Sequence, residues 1–225
     1  MSIIFDRLRP LGNQILTKLS NKGGALSGWE YNNEWWFNKT FATFSYRKAS
    51  LQILDKRDKN IWVLHLSIFP HLDDSAPILG FDIVATGNKI TAVFCDFSIT
   101  TNPNHNLVKW FEEKTKNIIW KKERELPEWG KQIFSKNMIA ATAVNTEDEI
   151  DQVIDIGLQC LDQYLFVVGD NCLPDEGIGE VKAAQNKYCF YQKQNTFPVK
   201  MLVNYGLTEQ QAKDYFDKYL YPEIP

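Results

Sequence analysis

Two side chains able to hold and pass a proton stand alone in an otherwise apolar stretch. They are His65 and Asp82, within NIWVLHLSIFPHLDDSAPILGFDIVATGNKITAVFCDF at residues 60–97. The runs 61–69 and 78–86 are bounded by turn-forming residues, which predicts antiparallel strands. Closing this hairpin symmetrically about the loop Pro70–Pro77 pairs residues whose numbers sum to about 147, so residue 65 lies opposite residue 82. Directly opposed residues share a face of the sheet, with Cβ atoms roughly 5 Å apart. A lone ion there is costly unless it is paired or used. The pair therefore reads either as a buried hydrogen bond that only fixes the register, or as a dyad that shares a proton and donates it. A slip of one residue would send Asp82 to the other face. By the same construction, the Gly87-Asn88 turn places Val93 opposite Asp82. Asp96 then falls on the face opposite Val93, as a structural carboxyl or a second proton source.

The elements that must position this pair are legible around it. Ile4, Leu8, Leu11, Ile15 and Leu19 recur at helical spacing over 3–19 despite Pro10, with an end at Asn21–Gly24. Residues 33–55 predict two strands and DKRDKN a turn. A lysine-rich helix is expected over 105–125. A second helix over 146–165 opens on a Thr146/Glu149 capping box and carries Ile150, Val153, Ile154, Leu158 and Leu161 on one face. NCLPDEGIGE at 171–180 reads as a loop leading to a helix through YCFYQKQN, and a last helix runs from Thr208 to about Tyr219. With no repeats or linkers, the reading is α+β: one domain over residues 1–225, a central antiparallel sheet with helices on its faces.

Bulk properties exclude some classes. The 225 residues are 44% apolar and 13% aromatic, enough for a large core and an apolar pocket. A net charge of −3 argues against generic nucleic-acid binding. Cys95, Cys160, Cys172 and Cys189 form no C-x-x-C motif and none sits close to a histidine, so metal ligation is not expected and reduced thiols are. No run approaches the length of a membrane span, and the N-terminus lacks a signal pattern, so a cytoplasmic, unprocessed protein is expected. His71, beside Asp73 and Asp74, and His105, between asparagines, read as solvated loop residues.

The pattern from Phe69-Pro70 through Pro77, Gly80 and Asp82 resembles the ferredoxin-dependent bilin reductases. So do LPEWGKQIFSKN at 126–137 and YCFYQKQN at 188–195. The resemblance runs from about residue 30 to the C-terminus. It implies a three-layer α/β/α sandwich binding biliverdin between the sheet and the C-terminal helices. It also implies no bound metal or flavin, single electrons from a 2Fe-2S ferredoxin, and protons from side chains to bilin radicals.

Within the family the chain is most similar to the phycocyanobilin-forming branch, whose catalytic histidine and aspartate match His65 and Asp82. That branch's glutamate on the preceding strand, which protonates a vinyl group, is matched here by Gln52, and an amide is no acid. The aspartate that follows the matching asparagine in phycoerythrobilin synthases is Thr196 here, after Asn195. The combination resembles a compact phage-encoded branch. It implies four-electron reduction through 15,16-dihydrobiliverdin to phycoerythrobilin. Reduction to phycocyanobilin, or a non-catalytic bilin carrier, are the alternatives.

Lys193, and Arg47 or Lys48, are either candidates to meet the pigment's propionates or ordinary solvated charges, while the resemblance suggests that Asn195 hydrogen-bonds its pyrrole edge or a water on it. Lys114, Lys116, Lys121, Lys122 and Arg124 form either a steering patch for an acidic ferredoxin or a solvated helix face. The expected partners are biliverdin and ferredoxin, with no nucleic acid and no membrane, for a monomer in the cytoplasm, including that of a virus-infected host.

Overall fold

A computed structural model describes residues 3–25, 34–170 and 173–225. Among the described residues, seven strands run in chain order across one sheet, each antiparallel to the next. They are β1 (Gly24–Ala25), β2 (Trp36–Ala42), β3 (Tyr46–Lys56), β4 (Ile61–Pro70), β5 (Ile78–Thr86), β6 (Lys89–Ser98) and β7 (Ile139–Ala141). The helices are α1 (Ile3–Lys22), α2 (Asn106–Thr115), α3 (Glu147–Val167), α4 (Asp175–Gln192), α5 (Phe197–Asn204) and α6 (Glu209–Asp214). A π-helical turn, Tyr215–Leu220, extends the last of these.

The two faces of the sheet are covered by different helices, and the alternation along β4 shows why. Trp62, Leu64, Leu66 and Ile68 point into the larger core with residues of α1, α2 and α3. Ile61, Val63 and Phe69 point the other way, to a second core with Tyr188, Met201, Phe216 and Tyr221 from the C-terminal segment. This is the expected α+β architecture in three layers. On the first face the fit is close: a Cβ at Gly157 of α3 would lie 2.2 Å from the Phe81 ring.

Several expectations need correction. Asp82 lies opposite Phe94, and Val93 opposite Ile83. The β5–β6 register shifts between Val84 and Ala85, a bulge that leaves Thr91 extra and moves every later pair by one. Asp96 consequently shares the face of Asp82, because it is two residues beyond Phe94.

Helix α2 stops at Thr115. The chain beyond it runs alongside β7, with Arg124 N donating to Ala140 O and Thr142 N to Lys122 O. Backbone pairing there replaces the helix that the lysine-rich composition favours. The DEGIGE part of the expected loop is instead the start of α4, entered through Pro174 with Gly177 N donating to Pro174 O at 2.8 Å. Pro174 sets a helix-compatible φ and outweighs the two glycines. Strands β1 and β7 and helix α5 carry no clear signal in sequence. Asn33, Asn171 and Cys172 lie outside the described residues.

The other two histidines are not free loop residues, and only His105 is fully buried. His71 Nε2 bonds Thr43 O at 2.8 Å, and buried His105 caps α2 by accepting from Leu107 N. Burial pushes the His105 imidazole below its ordinary range.

Candidate active site

Four adjacent strands place one residue each in a row on the face covered by α4 to α6: Gln52, His65, Asp82 and Phe94. The sum rule for the β4–β5 hairpin holds, and His65 pairs directly with Asp82. Their side chains meet, with His65 Nδ1 2.5 Å from Asp82 Oδ1. His65 is 12% exposed and Asp82 33%, so the carboxylate is the more accessible of the two.

The other ring nitrogen of His65 faces Tyr221, whose hydroxyl lies 3.5 Å from Nε2, long for a hydrogen bond. Burial pushes the Tyr221 phenol well above its ordinary range, so it stays neutral and can donate. With the Tyr221 hydroxyl facing Nε2 as a donor, the tautomer favoured is the one with its proton on Nδ1, shared with Asp82.

A cavity of about 410 Å³ opens over this row. Its floor is Gln52, His65, Asp82 and Phe94. One wall is Phe197, Pro198, Met201, Phe216, Leu220 and Tyr221, and the end of α4 adds Gln192 and Asn195. Leu126, Pro127, Trp129 and Phe134 close the remaining side with Arg124. The site is largely apolar and aromatic with a few convergent polar groups, the composition that suits a flat conjugated ligand.

The sequence-derived residues divide. His65, Asp82, Gln52 and Asn195 all line the cavity. Gln52 is buried. The Asn195 side-chain oxygen Oδ1 accepts from Phe197 N at 3.1 Å and so fixes the entry to α5.

Arg47 and Lys193 are held elsewhere. Arg47 Nε donates to Gln185 at 2.6 Å, its guanidinium lies 4.9 Å above the Phe69 ring, and burial lowers its pKa. Lys193 pairs with Glu223 at 2.8 Å. Lys48 is buried, with Nζ donating to the carbonyls of Tyr219 and Leu220, and burial lowers it to about 7.

The cation that does reach the cavity is Arg124, 5.5 Å from the Phe94 ring. Sequence reasoning assigned it to a surface cluster. Tyr221 was missed as well. It sits one residue past the π-helical turn, where no periodicity marks it, and only its place within an aromatic run could have drawn notice.

A family model described as "Ferredoxin-dependent bilin reductase" matches residues 12–222. Among curated proteins, the phycocyanobilin:ferredoxin oxidoreductase of Trichodesmium erythraeum (strain IMS101) is 27% identical over 163 residues, 70% of this chain and 64% of that protein. The phycocyanobilin:ferredoxin oxidoreductase of Prochlorococcus marinus (strain MIT 9515) is 27% identical over 185 residues, 78% of this chain and 72% of that one. The match thus spans slightly under two thirds of the first relative's length.

Two solved structures share the fold. PcyX superposes with a TM-score of 0.71 at 24% identity, covering 97% of this chain and 99% of that one. Phytochromobilin synthase from tomato, in complex with biliverdin, gives 0.70 at 14%, covering 96% and 82%.

Proposed function

The chain belongs to the ferredoxin-dependent bilin reductase family, and on that premise we propose that it reduces biliverdin by four electrons to phycoerythrobilin, taking the electrons singly from ferredoxin. The observation that carries this reading is the His65–Asp82 pair, bonded at the floor of a cavity walled by the sheet and the C-terminal helices. The pigment's conjugated system stores the electrons, so the protein must bind it, orient it and protonate it. Asp82 is the more open of the two groups and is the proton donor to the pigment. His65 shares that proton with Asp82 through Nδ1, and Tyr221 faces its other ring nitrogen. Binding the pigment excludes water from the dyad, so each proton goes where the side chains direct it.

The product follows from Gln52. It occupies the position directly across from His65, where a carboxylic acid would add a second donor, and its amide cannot serve as one. Reduction then proceeds first at the methine bridge, through 15,16-dihydrobiliverdin, and next at the diene of the other end ring. Each two-electron stage consumes two protons. Arg124 at the cavity and Asn195 beside it are the groups of this chain placed to meet a propionate or a pyrrole edge.

Ferredoxin docks on the basic segment that borders the cavity. Lys116, Arg124 and Lys136 line a second cleft, which shares Arg124 and Leu126 with the first. Lys121 and Lys122 are exposed beside it. Some of this charge is locally paired, Lys116 with Glu113 and Lys121 with Glu149 at 3.6 Å.

Anaerobic incubation of the protein with biliverdin and reduced ferredoxin, followed by chromatography of the pigment, tests the reading. Phycoerythrobilin is the expected product. Phycocyanobilin would overturn the assignment of product, and biliverdin bound but unreduced would leave only a carrier.

A further inference from the structure

We propose that Asp96 and Tyr188 form a proton relay that recharges Asp82 from beneath the pigment; this rests on the reductase reading above. A four-electron reduction takes up four protons, and a pigment lying over the dyad closes it off from the cavity side. The donor needs a second way in.

The sheet supplies the geometry. Asp82 pairs with Phe94, and Asp96 is two residues along the same strand, on the same face. Diagonal neighbours of this kind stand about 7–8 Å apart, too far for direct transfer and suited to one intervening group. The residue on β5 opposite Asp96 is Gly80. It has no side chain to fill the diagonal, and a Cβ there would lie 3.4 Å from the Tyr188 hydroxyl, which occupies that space. Gln192 Nε2 donates to this hydroxyl at 2.9 Å, leaving the phenolic proton for a carboxylate and a second lone pair for an incoming one. The Tyr188 ring is buried against Phe69, Phe134 and Tyr221, which fixes the hydroxyl in place. Ser67, opposite Gly80, and Ser50, opposite Ser67, continue the row with buried hydroxyls that have no protein partner among the described residues.

Asp96 has the surroundings of a reserve. It is fully buried, and Ser98 Oγ, Ser135 Oγ and Ser135 N all donate to it. Burial pushes its carboxyl up to about 6, against the lowering by these donors. The groups facing it are Ser98 on its own strand, Asp82 from β5, Tyr188 from α4, and half-buried Ser135, while Cys95, its neighbour in the chain, points to the other face. In the step itself the Asp96 O–H bond breaks as a new one forms at the Tyr188 oxygen, and the Tyr188 proton passes to the Asp82 carboxylate. The net change is one proton moved from Asp96 to Asp82, with no electron transferred.

Two measurements test the relay. In the free protein, infrared titration follows the carbonyl stretch of the protonated carboxyl. The expected band titrates near pH 6, vanishes in Asp96→Asn, and shifts in both Tyr188→Phe and Asp82→Asn. A band unmoved by Tyr188→Phe would overturn the relay. In single turnovers with biliverdin and reduced ferredoxin, Tyr188→Phe is expected to keep its pigment affinity. Its proton-dependent steps should slow by about a hundredfold or more, within the roughly 10²–10⁴ that a positioned proton donor contributes. They should show a larger solvent deuterium effect and recover on adding formic acid. Wild-type rates in that variant would also overturn the relay. Biliverdin left unreduced by the wild-type protein would sink the functional reading instead, and the infrared result would still decide whether Asp96 and Asp82 communicate through Tyr188.

Discussion

At the scale of single residues, the proposed choice between two products rests on one amide. Gln52 faces His65 across β3 and β4, with its side chain buried at the cavity floor. Gln52→Glu would put an acid in that place, and the expected outcome is that part of the product becomes phycocyanobilin, read by chromatography. An unchanged product would show that the donor's position is not what selects it. Truncating Tyr221 to Phe removes only the hydroxyl that faces Nε2 of His65. The tautomer of His65 is then less restrained, and turnover is expected to fall by about tenfold with pigment affinity retained. The dyad itself was readable in the sequence because hairpin symmetry and side-chain parity are set by local chain geometry. The next pair was not, because the bulge before Ala85 leaves no mark that separates it from a regular hairpin. Asp96 does lie on the face opposite Val93, as expected, but the one-residue shift takes Val93 off the face of Asp82 and so brings Asp96 onto it.

At the scale of elements, the site depends on how the C-terminal segment is held to the sheet. Lys48 of β3 reaches across and binds the carbonyls that end the π-helical turn, immediately before Tyr221. Its ammonium is lowered from 10.5 to about 7 by burial, so between those values the unfolded chain binds a proton that the folded chain does not. Stability contributed by this group therefore rises with pH across that window, and the charged form costs most below about 7. Lys48→Met is expected to flatten the rise between pH 7 and 10 in urea unfolding, and to speed amide exchange at Tyr221. On the opposite face, Gly157→Ala drives a methyl into the buried Phe81 ring and should cost about 1–3 kcal/mol in the same assay. The helices with strong apolar periodicity, α1 and α3, the latter also with its Thr146 cap, were legible. The lysine-rich stretch after α2 was not, since its backbone is claimed by β7 through pairings between distant residues.

At the scale of the whole molecule, charge is unevenly spread. Between residues 109 and 136 eight cations face five carboxylates, a net of +3; the chain as a whole carries −3, so the remainder carries −6. The positive segment borders the cavity and is the docking surface proposed above for ferredoxin. Lys121→Glu with Lys122→Glu is expected to raise the KM for ferredoxin severalfold at low ionic strength while leaving pigment affinity unchanged. The difference should shrink as salt shortens the Debye length to roughly 8 Å at 0.15 M. Unfolding in one transition would accord with a single domain across the chain, as proposed from the sequence. Among the described residues no helix is long and apolar enough to cross a membrane. The most direct test of the account is single-turnover spectroscopy of Asp82→Asn with biliverdin and reduced ferredoxin under anaerobic conditions. The account predicts that the pigment binds and accepts an electron, and that the resulting radical then persists with little product formed. Product appearing at the wild-type rate would contradict it.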